Sequence, residues 1–134
     1  MSPRKQEKLY LKDYAPELVR IAEADILSAQ VLARTPEVRR ENSAYHAQQC
    51  VEKAIKAVLC WKGIPVPLVH DAGILVAKLP SELSPPGGYD LTELTPFATV
   101  KRYEEGNYEF TEAELKAVIA LAVDVLKWAK AQIK

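Results

Sequence analysis

The sequence predicts an all-α fold, an antiparallel up-and-down helical bundle of three long helices plus one or two short ones. Three observations predict it. Apolar residues recur at helical spacing in three separate stretches, over about 13–33, 43–62 and 112–133. Strand-like alternation, internal repeats and low-complexity segments are absent. Helix breakers stand between the stretches: Pro36 after the first, Gly63 and a two-proline connector after the second, and "SPPGG" further on.

Each element follows in chain order. Residues 1–12 are polar and basic and read as a flexible tail, leaving one domain over 13–134. In the first helix Leu18, Ile21, Ala22, Ala29, Leu32 and Ala33 share an arc, and Pro36 disfavours helical backbone at Thr35. The second helix has Asn42 or Ser43 as N-cap candidates and Gly63 as its stop. "GIPVPLVHDAG" is an extended connector in which Asp71 is placed to cap a short helix in "ILVAKLPSEL". "YDLTELTPFATVKRYEEGNYEF" reads as another short helix followed by an irregular turn around Gly106. The last helix opens on "TEAE", a capping box formed by Thr111 and Glu114, and continues through Leu115, Val118, Ile119, Ala122, Leu126 and Ala129.

Composition narrows the function classes. Eighteen basic residues balance eighteen acidic ones, so bulk charge does not steer the chain to nucleic acid or membrane, although a local basic surface stays open. Cys50 and Cys60 lie in one predicted helix, about 15 Å apart along its axis, too far for a disulfide. Without a CxxC pair a zinc site has little support, and no metal or other cofactor is expected; both cysteines are expected as free, buried thiols. The N-terminal stretch lacks the apolar core of a signal peptide, and no apolar run approaches the roughly 18 residues of a membrane span. A cytoplasmic protein is the expectation. GxSxG, HExxH, P-loop and GxGxxG patterns do not occur.

Two features stand out. On a helical wheel of the second helix, Ala44, Ala47, Val51, Ala54, Ile55 and Val58 form the core arc, with Gln48 at its edge. Tyr45, Gln49, Glu52 and Lys56 form a stripe on the other side, flanked by His46 and Lys53. That stripe reads either as a solvated face with a Glu52–Lys56 pair, or as a groove or dimer contact suited to a base or an amide. In the first helix, Asp25 falls in the middle of the apolar arc. A carboxylate there needs a donor, with Arg102, His46 or His70 as candidates, in either a structural lock or an oriented cleft carboxylate.

The frame "AEADILSAQVLAR … YHAQQCVEKAIKAVLCWKGIPVPLVHD … KRYEEGNY … ALAVDVLKWAKAQI" resembles the HEPN family (higher eukaryotes and prokaryotes nucleotide-binding domain) over nearly the whole chain. The resemblance implies an up-and-down bundle that is usually a homodimer. Small prokaryotic members often act with a minimal nucleotidyltransferase, many as toxin–antitoxin pairs, and other members are metal-independent ribonucleases or nucleotide binders. It therefore implies a module with a nucleotidyltransferase partner and a nucleotide or RNA as ligand. The cleft contacts would be Asp25, Tyr45, Gln49, Lys53, Lys56, Arg102 and Tyr103. The ribonuclease branch carries an Arg followed, after four to six residues, by a His in the second half of the domain. Here Asn107, Tyr108 and Glu109 occupy those positions after Arg102, so catalysis by Arg102 with His46 or Tyr108 is the alternative reading. Tyrosine, with a reference pKa near 10, is a poor acid or base at neutral pH.

Overall fold

A computed structural model describes residues 6–87, 91 and 110–134. The first helix, α1 (Ala15–Ala33), starts with Pro16 in its first turn, where a missing N–H leaves no helical bond unmade. A single 3-10 turn, Lys12–Tyr14, leads into it. The second helix, α2 (Arg40–Trp61), is the longest described element. A six-residue helix, α3 (Ala72–Ala77), follows the connector, and the last helix, α4 (Glu112–Gln132), ends the bundle. The fold is all-α, as the periodicity predicts. A two-residue antiparallel ladder is added to it, with β1 (Glu7–Lys8) in register with β2 (Val66–Pro67).

Several helix ends form as their sequences dictate. The Asp71 side chain accepts from the Ile74 backbone N–H at 3.2 Å and caps α3. Thr111 and Glu114 form both halves of the capping box that opens α4. At the end of α2, Ile64 N–H donates to Leu59 O at 2.9 Å and Gly63 N–H to Cys60 O at 3.1 Å. Together they make a Schellman motif, which needs a left-handed residue, and Gly63 has φ +73°.

The start of α2 differs from expectation. The helix begins at Arg40 behind Arg39, whose side chain makes no capping bond. Ser43 lies one turn inside and is fully buried, and its hydroxyl donates to Ala29 O at 2.6 Å. A serine that reads as a helix cap from sequence is instead a cross-link between α1 and α2.

The core forms around α2, which packs most extensively on α1, then on α4, with α3, β2 and the 3-10 turn against its remaining sides. Ala44, Ala47, Val51, Ala54, Ile55 and Val58 are all fully buried, as the wheel requires. Burial does not stop there: Ala57 and Cys60, on another side of α2, form a second small cluster with Ala15 and Leu18. Both cysteines are free and buried. Alanines line much of the α1–α2 seam, and small side chains let the two backbones approach. No described helix is long and apolar enough to cross a membrane. The predicted short helix before Gly106, together with Arg102, Tyr103 and Tyr108, lies outside the described residues.

A Cβ at Gly63 would meet no atom within 4 Å, so substitution there tests backbone conformation alone. Gly63→Ala should cost about 1 kcal/mol, read as a lower urea midpoint with an unchanged m-value. An unchanged midpoint would show that the left-handed stop is not needed.

Candidate functional site

Gln48, Gln49 and Glu52 lie three and four residues apart, so the helix brings both amides over the carboxylate. Glu52 is fully buried, Gln48 likewise, and Gln49 is only 8% exposed. This corrects the reading of Tyr45, Gln49, Glu52 and Lys56 as a solvated stripe. The wheel locates the most apolar side of a helix, but α2 is enclosed on more than that side, so part of its polar stripe is sealed as well.

A buried carboxylate without donors would cost several kcal/mol, and the surrounding groups supply them. Gln48 Nε2 and Gln49 Nε2 both donate to Glu52 Oε2, the second at 3.1 Å. His70 Nδ1, on the connector before α3, lies 3.2 Å from Oε1. Lys53 Nζ in turn donates to Gln49 Oε1 at 3.1 Å, so Gln49 relays the lysine to the carboxylate. Gln48 Oε1 is buried with no hydrogen-bond partner.

The electrostatics follow from this enclosure. Burial pushes Glu52 up to about 7, against the opposing pull of Lys56, Lys53 and the Gln48 bond, while Asp71 adds to the rise. His70 is lowered by its partial burial and by the charges of Lys56 and Lys53. Lys56 is lowered by burial and by Lys53, with Glu52 acting the other way. Burial thus raises the acid and lowers the imidazole, and the 3.2 Å contact between Nδ1 and Oε1 can be a hydrogen bond in either protonation state. A protonated Glu52 donates to an unprotonated Nδ1, and an ionised Glu52 accepts from Nδ1–H.

The other residues singled out from sequence fall around this network. Asp25 is half-buried on α1, and burial raises its carboxyl although the charges of Lys53 and His46 pull it down. Lys53 therefore acts on two carboxylates, Asp25 from α1 and Glu52 from its own helix. Tyr45 and His46 are half-buried and meet edge to face, with ring centroids 5.4 Å apart. His46 Nδ1 takes no hydrogen bond. Lys56 is half-buried on the Glu52–His70 side. Of the three partners expected for Asp25, His46 is the one nearby, while His70 serves Glu52 and Arg102 lies outside the described residues.

Glu52 and Gln48 are the groups that sequence reading misplaces or leaves aside. The available signal was the coincidence of Gln, Gln and Glu at helical spacing with a His–Asp pair just past the connector. The thiols play no part in such chemistry. Burial, with Asp25 and Glu23 behind it, pushes Cys50 up to about 12, and burial with Asp13 raises Cys60, which keeps both protonated and unreactive. Among the described residues no group of three or more His, Cys, Asp or Glu converges to hold a metal ion.

What the fold and these groups define is a small helical bundle whose central helix buries a hydrogen-bonded acid beside a half-buried Asp–His–Lys cluster. The chain belongs to the HEPN family: the family model for the HEPN domain matches residues 15–132. Over 51 residues it is 49% identical to a protein of Methanocaldococcus jannaschii named "Putative toxin MJ1304", a match covering 38% of this chain and 32% of that protein. The chain thus spans about a third of the length of the curated relative it matches. No solved structure matches it.

The raised Glu52 carboxyl carries a pH signature. Between its ordinary 4.5 and about 7, unfolded Glu52 ionises while folded Glu52 keeps its proton, so the folded state binds more protons. Stability from this group is therefore intact below 4.5 and falls as pH rises towards 7, by about 3 kcal/mol in all at 1.36 kcal/mol per pKa unit. His70, with a lowered pKa, acts oppositely, so the comparison with Glu52→Gln is made in a His70→Ala background as well as in wild type. In urea unfolding the variant should gain about 2–3 kcal/mol relative to wild type between pH 5 and pH 8. An equal difference at both pH values would mean Glu52 titrates like an exposed carboxyl.

Proposed function

We propose that this chain is a HEPN module of the toxin–antitoxin kind that binds a nucleotide, acts as a homodimer with a minimal nucleotidyltransferase partner, and has no cleavage chemistry of its own. The toxin-like part of this reading is supported by the family and by the printed name of the archaeal relative. The observation that carries the non-catalytic part is the run after Arg102, where Asn107, Tyr108 and Glu109 stand in place of an imidazole. The chain has only two histidines, and one of them, His70, is engaged by Glu52. Support for ligand binding comes from the α1–α2 face, where Asp25, His46 and Lys53, with Tyr45 edge to face on His46, set an acceptor, two rings and a cation half-buried along the seam. Such a set suits the edge of a base and the ribose beside it.

One observation favours a second reading, a metal-independent endoribonuclease using Arg102 with His46 or Tyr108. The His46 ring is only half-buried and its Nδ1 is not committed to any hydrogen bond, although that atom itself is sealed from solvent.

RNA incubated with the purified chain in EDTA should stay intact, and a saturating nucleotide at 100 times its Kd should stabilise the fold by about 2.7 kcal/mol. Cleavage by wild type that disappears in Arg102→Ala and His46→Ala would replace this reading with the ribonuclease. No stabilisation by any nucleotide, together with intact RNA, would leave only a structural role.

A further inference from the structure

A cleft of about 610 Å3 opens at the end of the bundle where α1 stops and α2 starts, away from the Glu52 network. Its floor is apolar, built from Leu32, Val38, Phe110 and Leu115. Its rim carries three guanidiniums: Arg34 at the end of α1, and Arg39 and Arg40 at the start of α2. The volume falls within the roughly 300–1,000 Å3 of small-molecule sites, and an apolar floor with a few convergent polar groups is how such sites are built.

The charges on this rim are poorly compensated. Arg40 Nη1 donates to the carbonyl of Phe110 at 3.1 Å, which holds the guanidinium at the cleft wall without neutralising it. Among the described residues neither Arg34 nor Arg40 has an ion pair. Two carboxylates also line the cleft. Glu41 Oε1 reaches only to 3.9 Å from Arg39 Nε, and Glu112 lies 3.6 Å from Lys116 Nζ, its side chain 70% exposed. Three cations around an apolar cavity repel one another, and an anion with several acceptor oxygens relieves that repulsion. Guanidinium is the cation best matched to phosphate, because its N–H groups bond two oxygens at once.

We infer that this cleft binds the phosphate of a mononucleotide unit, free or at the end of an RNA strand, through the guanidiniums of Arg34, Arg39 and Arg40. The inference rests on the reading of the chain as a nucleotide-handling module, but it assigns the phosphate to the Arg34–Arg39–Arg40 end and not to Lys53 and Lys56. An interior phosphate of a longer RNA carries the same chemistry at lower charge, so a terminal phosphate is favoured.

Amide NMR of the full chain titrated with AMP, adenosine, and a trinucleotide RNA with or without a 5′-phosphate tests it. AMP should shift amides over 34–41 and 110–115, and adenosine should leave them in place. In the Arg34→Gln/Arg39→Gln double variant the AMP affinity read from those amides should fall at least tenfold, because hydrogen bonds to a charged group are lost. Arg34→Lys/Arg39→Lys should recover part of it, and Lys116→Gln, which removes a nearby charge outside the cleft, should change affinity less than twofold. The same amide spectra report whether each variant keeps its fold. Tighter binding of the phosphorylated trinucleotide than of AMP identifies an RNA end as the source, and equal binding identifies the mononucleotide. AMP shifts confined to 45–56 would overturn the cleft while leaving the nucleotide reading standing. Cleft shifts that persist unchanged in the glutamine double variant, or that adenosine reproduces, would overturn it as well. No shift with any probe would overturn both.

Discussion

Glu52 sits fully buried in the middle of a helix that other elements enclose on more than one side, and most of the polar architecture of this bundle answers to that fact. A lone carboxylate in such a place must find donors or give up its charge. Here both happen. Two glutamine amides one turn earlier and an imidazole from the connector reach its oxygens, and burial still raises it to about 7. The requirement spreads outward: Gln49 takes Lys53, Lys53 acts on Asp25 of the neighbouring helix, and His70 ties the connector back to α2. The acid thereby ties the approach to α3 to α2 by a hydrogen bond, and reaches α1 only through the charge of Lys53.

Such a network is weak evidence for stability in itself. A buried charged or half-charged cluster is often no better than apolar packing of equal volume, and breaking one partner is what costs most. Its physical effect is specificity of arrangement. The apolar seam of α1 against α2 is made largely of alanines, which pack closely but distinguish poorly between neighbouring registers. The Ser43 hydroxyl bonding Ala29 O adds a directional term that favours one register, and the charge of Lys53 near Asp25 adds attraction across the seam. A face held this way presents Tyr45, His46 and Lys53 in a set geometry, which is what recognition of a small ligand needs.

Much of this was legible in the residues, for reasons that can be named. Helix existence followed from period and breakers, because burying an apolar stripe is what makes those segments helical. Asp71, Thr111–Glu114 and Gly63 could be placed individually, since capping and left-handed stops depend on local chemistry. What failed depended on neighbours. Ser43 looked like a cap because its hydroxyl suits one, yet the Ala29 carbonyl across the seam takes it. Glu52 looked solvated because a wheel ranks the sides of a helix without knowing how many are covered. Glu7–Lys8 pairing with Val66–Pro67 joins residues far apart in sequence and too few to show alternation. The HEPN resemblance carried the family directly, whereas the arginine cleft arises only when the end of α1, the start of α2 and Phe110 meet in space.

The protonation of Glu52 reports on all of this at once, because enclosure and the bonds to Gln48, Gln49 and His70 act on the same carboxyl. Carboxyl-carbon NMR of glutamate-labelled protein, with the Glu52 signal assigned by its loss in Glu52→Gln, reads that proton directly. A titration midpoint near 7, moved by His70→Ala, is the expected result. A midpoint at the ordinary 4.5, indifferent to His70, would mean that Glu52 is open to water and that the network described here does not organise the fold.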